Sequence, residues 1–590
     1  MKTDFSTRLL FIRVLFILAG AAILLQIVHL QTSASASDLR KLGELYSYKR
    51  ELVYPERGYI YDRYGRLLAG NEQVYEVGVN LSEMRGQNNA QSIASVVSTV
   101  LDMDYNEVYG NLTNPKNPKA VYVVLKNYVS LEKGNRLKSI QNEYEKYISE
   151  MGSAKSQSAP PNLRGLELAA HLQRSYPENN LASNILGFYT RNNEAVMGIE
   201  SKYNNLLEGS PVEVVVSIDP NQIEEIPTIP SGASLILTID REIQAEMENI
   251  IDRAVKSSGS ISGTLLVYDP ETGEFLAMAS NPRMNPNEYW DYLDMKHFNR
   301  SVDYPFEPGS VFKVLTMAAA LDSGTVQPDT PFVDTGVIEV GGLKIYNWDR
   351  SAWGPQTMLG CMQHSLNVCL SWVALQVGAD NFYSYLKAFG IGRRTNIDLA
   401  GESLWPLAVP GDGNWYESSL ATNSFGQGLS TTPVQLVTAV GAIANDGVMM
   451  APHVLLGFVE NGKQYNTNPQ VVGTPIKKET AQILTGMLTI SLEEEASDAL
   501  VEGYRVAGKT GTAEIAIPGK GYVTNMTNAS FIGWGPSDDP KFVVYIWLEE
   551  PKTAPWGSVV AAPIFSQVVE KLVVLMDIPP DDVRLGLRAQ

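Results

Sequence analysis

The chain has 590 residues, 44% of them hydrophobic and 19% charged, enough length for more than one domain and a composition that excludes wholesale disorder. A net charge of −19 excludes the concentrated basic surface that nucleic-acid binding requires. With two cysteines and five scattered histidines, neither a disulfide scaffold nor a zinc module fits, and no metal site is expected.

Leu9–Leu30 is an apolar run of 22 residues whose only charge is Arg13. At about 1.5 Å per residue it can cross a bilayer core of roughly 30 Å. Lys2, Arg8 and Arg13 lie ahead of the uninterrupted apolar part, which by the positive-inside rule places the N-terminus in the cytoplasm and everything after residue 30 outside. Ala34-Ser35-Ala36 resembles a signal-peptidase site, so a cleaved signal peptide is the alternative. The apolar run exceeds a usual signal core, which favours an uncleaved anchor.

Residues 51–72 read as strand, turn, strand, with Tyr59-Ile60-Tyr61 and Leu67-Leu68-Ala69 flanking Asp62-Arg63-Tyr64-Gly65. Residues 90–150 alternate helical and polar patterns. The small, polar stretch 152–162 reads as a mobile loop, and 220–232 as a linker. From Leu235 the pattern is that of one α+β unit. Leu235–Ile239 is strand-like and leads into a helix near Arg241–Val255. Thr264–Tyr268 and Phe275–Ala279 are strands around the turn at Asp269–Gly273. An apolar helix follows from Val311 to Leu321, then a long helical stretch to about residue 450. Tyr504–Ala507, Ser530–Trp534 and Phe542–Leu548 read as three short strands, the last two joined at Pro536–Pro540 into a hairpin that makes the sheet antiparallel. Ala562–Met576 reads as a closing helix.

Three short motifs carry chemistry. In the first, Ser310-Val-Phe-Lys313, a lysine sits in the first turn of an apolar helix, where burial and the positive end of the helix dipole both disfavour its charge. A neutral amine there is a base, and Ser310 at i−3 shares its face. The alternative is a lysine that snorkels to solvent. The second, Ser365-Leu366-Asn367, has a spacing that belongs in a turn between helices, with Asn367 as N-cap of Val368–Val377 and Gly378 ending that helix. Cys361 and Cys369 beside it read as small core residues on different helices, with no disulfide expected. The third, Ala507–Ala513, is AGKTGTA. Gly503–Thr510 matches the G-x-x-x-x-G-K-T of a phosphate-binding loop, but the acidic, helical residues before it and the strand-like residues after it invert that loop's context. As the end of a strand, it supplies the Lys509 cation, close approach at Gly511 and the Thr512 hydroxyl and amide. The amides of Ser310 and Thr512 could serve an oxyanion, and the cation and hydroxyl suit a substrate carboxylate.

S-x-x-K, S-x-N and K-T-G in that order, with 55 and 144 residues between their first members, form the signature set of penicillin-binding proteins and serine β-lactamases. The chain resembles a class B penicillin-binding protein, a monofunctional peptidoglycan D,D-transpeptidase, over nearly its whole length. RGYIYDRYGRLLA (57–69), RSYP (174–177), LGF (186–188) and GIESKYNNLLEG (198–209) resemble the family's pedestal. LTIDREIQ (237–244), FEPGSVFK (306–313), FGIG (389–392), SFGQGLSTTPVQL (424–436) and GKTGTAE (508–514) resemble its transpeptidase domain. The single proline of FEPGSVFK resembles the septal type more than the elongation type. No stretch resembles the glycosyltransferase domain of bifunctional relatives.

The resemblance implies an α+β fold: a transpeptidase domain with an antiparallel sheet flanked by helices, an elongated α/β pedestal before it, and one transmembrane helix. The implied boundaries are residues 1–8 cytoplasmic, 9–30 anchor, 31–230 pedestal, 231–577 transpeptidase and 578–590 tail. It implies that Ser310 attacks the penultimate D-Ala carbonyl of a stem peptide and Lys313 takes its proton. Ser365 and Asn367 would relay a proton and position the substrate amide, and Lys509 would tune the charge around Ser365. Thr510 and Thr512 would receive the substrate carboxylate, with Gly511 a structural part of the strand. No cofactor is implied. The implied partners are D-Ala-D-Ala stem peptides, β-lactams and a lipid-linked polymerase of the SEDS family, at the bacterial cell membrane. A D,D-carboxypeptidase or β-lactamase would share the motifs without needing the pedestal, and a β-lactam sensor would be expected to have several spans.

Overall fold

The computed structural model describes residues 5–33, 36–38, 48–151, 162–217, 229–292, 294–517 and 521–588. The loop expected at 152–162 and the linker expected at 220–232 lie outside these residues except at their C-terminal ends. The chain forms two compact units, Met1–Glu56 with Glu208–Gly232, and Arg57–Leu207 with Ala233–Gln590.

In the first unit Phe5–Thr32 is one helix, with Leu10, Phe11, Phe16 and Leu25 among its exposed apolar side chains. Its apolar segment Leu9–Thr32 is long enough to span a membrane. Tyr48–Val53 pairs antiparallel with Val212–Ser217.

The second unit begins with the expected hairpin, Ile60–Tyr61 against Leu67–Asn80. Leu67–Asn80 also pairs with Tyr122–Ser130 and Leu166–Ser175, and Ile60–Tyr61 runs parallel to Ser234–Leu237. Tyr122–Ser130 corrects the helical reading of 90–150. That strand is exposed along much of its length, so it lacks the apolar alternation that marks a half-buried strand. The helices Ala90–Leu101, Tyr105–Thr113 and Leu131–Met151 fill the rest of that stretch.

The motifs around Arg57, Arg174 and Glu200 meet in one buried ionic cluster. Arg174 Nε donates to Glu200 Oε1 at 2.6 Å and Arg57 Nε to Oε2 at 2.8 Å, while Tyr176 OH adds a contact to Oε1 at 3.2 Å. Burial opposes the Glu200 charge, but Arg174 and Arg57 outweigh it and hold the carboxyl below its ordinary range. Glu200→Gln leaves two guanidinium groups buried without their anion, and we expect it to lower stability by about 3–5 kcal/mol at neutral pH. A carboxylate with a depressed folded-state pKa contributes stability above its unfolded pKa and loses it as pH falls through the folded value. The gap between wild type and Gln in urea midpoints should therefore close under acid conditions. Equal midpoints at pH 7 would contradict this.

The catalytic part is built on five antiparallel strands. In chain order they are β1 (Ser262–Tyr268), β2 (Phe275–Asn281), β3 (Ala507–Ile517), β4 (Gly521–Gly535) and β5 (Phe542–Glu549), arranged β2-β1-β5-β4-β3. The β5 sequence FVVYIWLE is apolar without alternation because both faces are covered. Val544, Ile546 and Leu548 pack with the helices Arg241–Ser258 and Ala562–Leu575. Val543, Tyr545 and Trp547 face the other core. That second core contains α1 (Lys313–Asp322), α2 (Met358–Gln363), α3 (Asn367–Val377) and α4 (Lys478–Glu495).

Two expectations change. The stretch to residue 450 is not continuously helical, since Pro331–Asp334 pairs with Gly354–Thr357 and Val337–Val340 with Leu343–Tyr346. These short strands are largely exposed, which hides them from a reading based on apolar runs. The strand expected at Tyr504–Ala507 begins instead at Ala507 and runs through the whole K-T-G motif, paired with β4 from Ala507–Trp534 to Ile517–Gly521. Gly508–Thr510 therefore lies within a strand that opens no helix, which removes the phosphate-loop context. The segment read as a tail contains the helix Asp581–Arg588.

Candidate active site

A short 3-10 turn, Gly309–Phe312, carries Ser310 and leads directly into α1 at Lys313. Gly309 has φ +61, and a Cβ there would lie 2.8 Å from the Thr512 carbonyl oxygen. Glycine is thus needed both for the backbone angle and for the approach of β3. At Gly511 a Cβ would come within 2.8 Å of Val311 Cγ1 and 2.2 Å of Ser530 Oγ. The missing side chains let the Ser310 turn lie against the K-T-G strand.

α1 packs against α3 and α4. Lys313 is fully buried, so it is not a snorkelling surface cation. Its Nζ donates to the Ser365 carbonyl oxygen at 2.7 Å and contacts Ser365 Oγ at 3.1 Å. Burial pushes the ammonium well below the usual lysine range. The like charge of Lys509 adds to the shift, and Glu495 opposes it.

Ser365 sits in the turn between α2 and α3, as its spacing predicts, with φ +52. A non-glycine residue there is strained and is held by its surroundings; here the Lys313 amine donates to its carbonyl. Asn367 is not the N-cap. It is the first residue of α3, the cap is Leu366 with no side-chain bond, and Asn367 Nδ2 donates to the Tyr346 carbonyl oxygen at 3.1 Å. Gly378 ends the helix as expected. Cys361 and Cys369 correct a second expectation, because they form a disulfide. They do lie on different helices, but the Ser365 turn brings their Cα atoms to 6.1 Å, within bridging range. A spacing of eight carries no sign of that.

On β3, Lys509 is buried and bonds Glu495 at the end of α4, with Nζ 2.6 Å from Oε1 and 2.9 Å from Oε2. Thr510 Oγ1 accepts from Lys509 at 3.2 Å and donates to Glu495 Oε1 at 2.8 Å. Thr512 Oγ1 accepts from the Gly557 amide at 3.1 Å. Lys509 Nζ thus donates to Glu495 and Thr510, and its charge also acts on Lys313.

These elements enclose a cleft of about 850 Å³ lined by Ser310, Ser365, Asn367, Thr510 and Thr512. Lys313 and Lys509 are fully buried and do not line it. Sequence reasoning missed Glu495 and the aromatic rim. Trp348 and Trp556 stand edge to face at 5.4 Å, and Trp353 stacks on His364 at 4.1 Å. The run Glu493–Glu495 was a signal, but its distance from K-T-G in the chain hides the contact. A nucleophile, a buried amine, a second hydroxyl and a cation around one cleft can carry out acyl transfer to and from Ser310.

A family model described as the penicillin-binding protein transpeptidase domain matches residues 263–570, and one described as the penicillin-binding protein dimerisation domain matches residues 52–228. Stage V sporulation protein D of Bacillus subtilis is 31% identical over 90% of this chain and 80% of its own length. Peptidoglycan D,D-transpeptidase FtsI of Escherichia coli K12 is 27% identical over 97% of this chain and 92% of its own. The crystal structure of penicillin-binding protein 3 of Mycobacterium tuberculosis complexed with aztreonam superposes with a TM-score of 0.67 at 25% identity. It covers 90% of this chain and 98% of that one.

Proposed function

Because the chain belongs to the class B penicillin-binding proteins, with their transpeptidase and dimerisation domains, we propose that its cleft crosslinks peptidoglycan stem peptides through an acyl-enzyme on Ser310. Ser310 Oγ attacks the penultimate D-Ala carbonyl as its proton passes to Lys313. The C–N bond to terminal D-Ala breaks, and the leaving amine takes a proton. The amine of a neighbouring stem peptide then attacks the ester and returns Ser310 with its proton. A neutral Lys313 has two N–H groups and one lone pair. The Ser365 carbonyl and hydroxyl oxygens take the donors, which leaves the lone pair for the Ser310 proton. This arrangement of Lys313 is the observation that carries the reading. The amides of Ser310 and Thr512 hold the oxyanion, and Asn367 positions the substrate amide.

β-Lactams acylate the same serine. The single proline of FEPGSVFK supports a septal role. The proposed boundaries are an anchor at 9–30, a pedestal at 31–230 and a catalytic domain at 231–577. The N-terminus lies in the cytoplasm and the cleft outside, where a disulfide persists. A SEDS-family polymerase is the membrane partner, met through the anchor and pedestal.

The test separates transfer from hydrolysis. Purified protein is given a thioester analogue of D-Ala-D-Ala with a D-amino acid as acceptor. The exchange product should form and should exceed the free acid as acceptor concentration rises. A free acid alone, at every acceptor concentration, would identify a hydrolase.

A further inference from the structure

We propose that Glu495 is a specificity-determining residue of this cleft: its carboxylate occupies the Lys509 and Thr510 donors that an anionic ligand needs, so a ligand carboxylate must displace it. The inference rests on the acyl-transfer reading above and deepens it.

The donors can be counted. An ammonium has three N–H groups, and those of Lys509 go to Glu495 Oε1, Glu495 Oε2 and Thr510 Oγ1. The single hydroxyl proton of Thr510 goes to Glu495 Oε1. The three side chains satisfy one another, and Thr512 Oγ1 already accepts from Gly557, which leaves its own O–H as the open donor on this wall. Glu495 is not sealed away. Its side chain is 15% exposed, and both it and Glu494 line the cleft beside Thr510. An arriving carboxylate therefore meets the like charges of Glu494 and Glu495 beside Thr510, a third at Glu514, and a donor set already in use. A ligand without a carboxylate meets neither obstacle.

A purely structural role for Glu495, as the counter-ion of a buried lysine, predicts something different. Removing its charge would then leave Lys509 unpaired and slow acylation by every ligand.

The experiment measures second-order acylation rates for wild type and Glu495→Gln with benzylpenicillin, which carries a carboxylate, and with its methyl ester. Glu495→Gln should accelerate benzylpenicillin and raise the ratio of its rate to that of the ester by about tenfold or more, the scale of one charge-assisted hydrogen bond, because any change that the lost charge makes at Lys313 is common to both ligands. A variant that is no faster with benzylpenicillin, or that accelerates both ligands equally, overturns the proposal. Glu495→Asp keeps the counter-ion of Lys509 but withdraws the carboxylate from Thr510, so it should also exceed wild type, and it decides the matter if Gln fails to fold by melting temperature. Wild type that takes up no penicillin on Ser310 would instead sink the acyl-transfer reading. Normal wild-type labelling with no gain in either variant sinks this inference alone.

Discussion

Ser310→Ala takes up no penicillin and forms no exchange product, while its circular dichroism and melting temperature stay those of the wild type. The loss is complete because Ser310 stands at the entry of α1, three residues ahead of Lys313, and no other residue takes its place as acyl carrier. Ser365 Oγ lies 3.1 Å from Lys313 Nζ, but it sits in the strained turn between α2 and α3. The change removes one oxygen from a partly exposed position, so little packing is lost and the fold should hold. An intact-mass adduct on the alanine protein would show that another residue is the nucleophile.

Lys313→Arg should fail nearly as badly as Lys313→Ala, by a factor of about 10² or more in acylation rate, the scale of losing a general base. Arginine keeps the cation but stays protonated at any physiological pH, so it has no lone pair for the Ser310 proton. Burial and the charge of Lys509 lower the Lys313 pKa, so the neutral form accumulates at lower pH than for a free lysine. The wild-type rate should therefore rise with pH and level off below the usual lysine range, and the variants should lack that rise. Because the side chain is fully buried, each variant must be shown to fold before its rate is read. A folded arginine protein within a few-fold of wild type would remove Lys313 from the role of base.

What the sequence made legible was local. Ser310 and Lys313 are three residues apart, and their relation follows from one turn of helix. The β5 run and the Pro536–Pro540 hairpin follow from apolar continuity and turn chemistry. The Ser365 turn follows from a spacing that no helix face accommodates. What stayed hidden depends on packing between segments. Glu495 reaches Lys509 only because the end of α4 packs on β3. The Cys361–Cys369 bridge depends on the angle between two helices. The strands between residues 331 and 357 are largely exposed and carry no apolar run to betray them. Asn367 was misread for a related reason. A polar residue at a helix start suits an N-cap, but here the Tyr346 carbonyl draws its side chain away.

The central claim is that the S-x-x-K serine is the acyl carrier of this cleft. Its most direct test is to label the protein with a fluorescent penicillin, digest it with trypsin and locate the adduct by fragmentation. Cleavage after Arg300 and Lys313 gives the peptide SVDYPFEPGSVFK, which holds two serines. The account predicts one label per chain, in that peptide, on Ser310 and not Ser301. A label on Ser365, on Ser301 or on any other residue would contradict it.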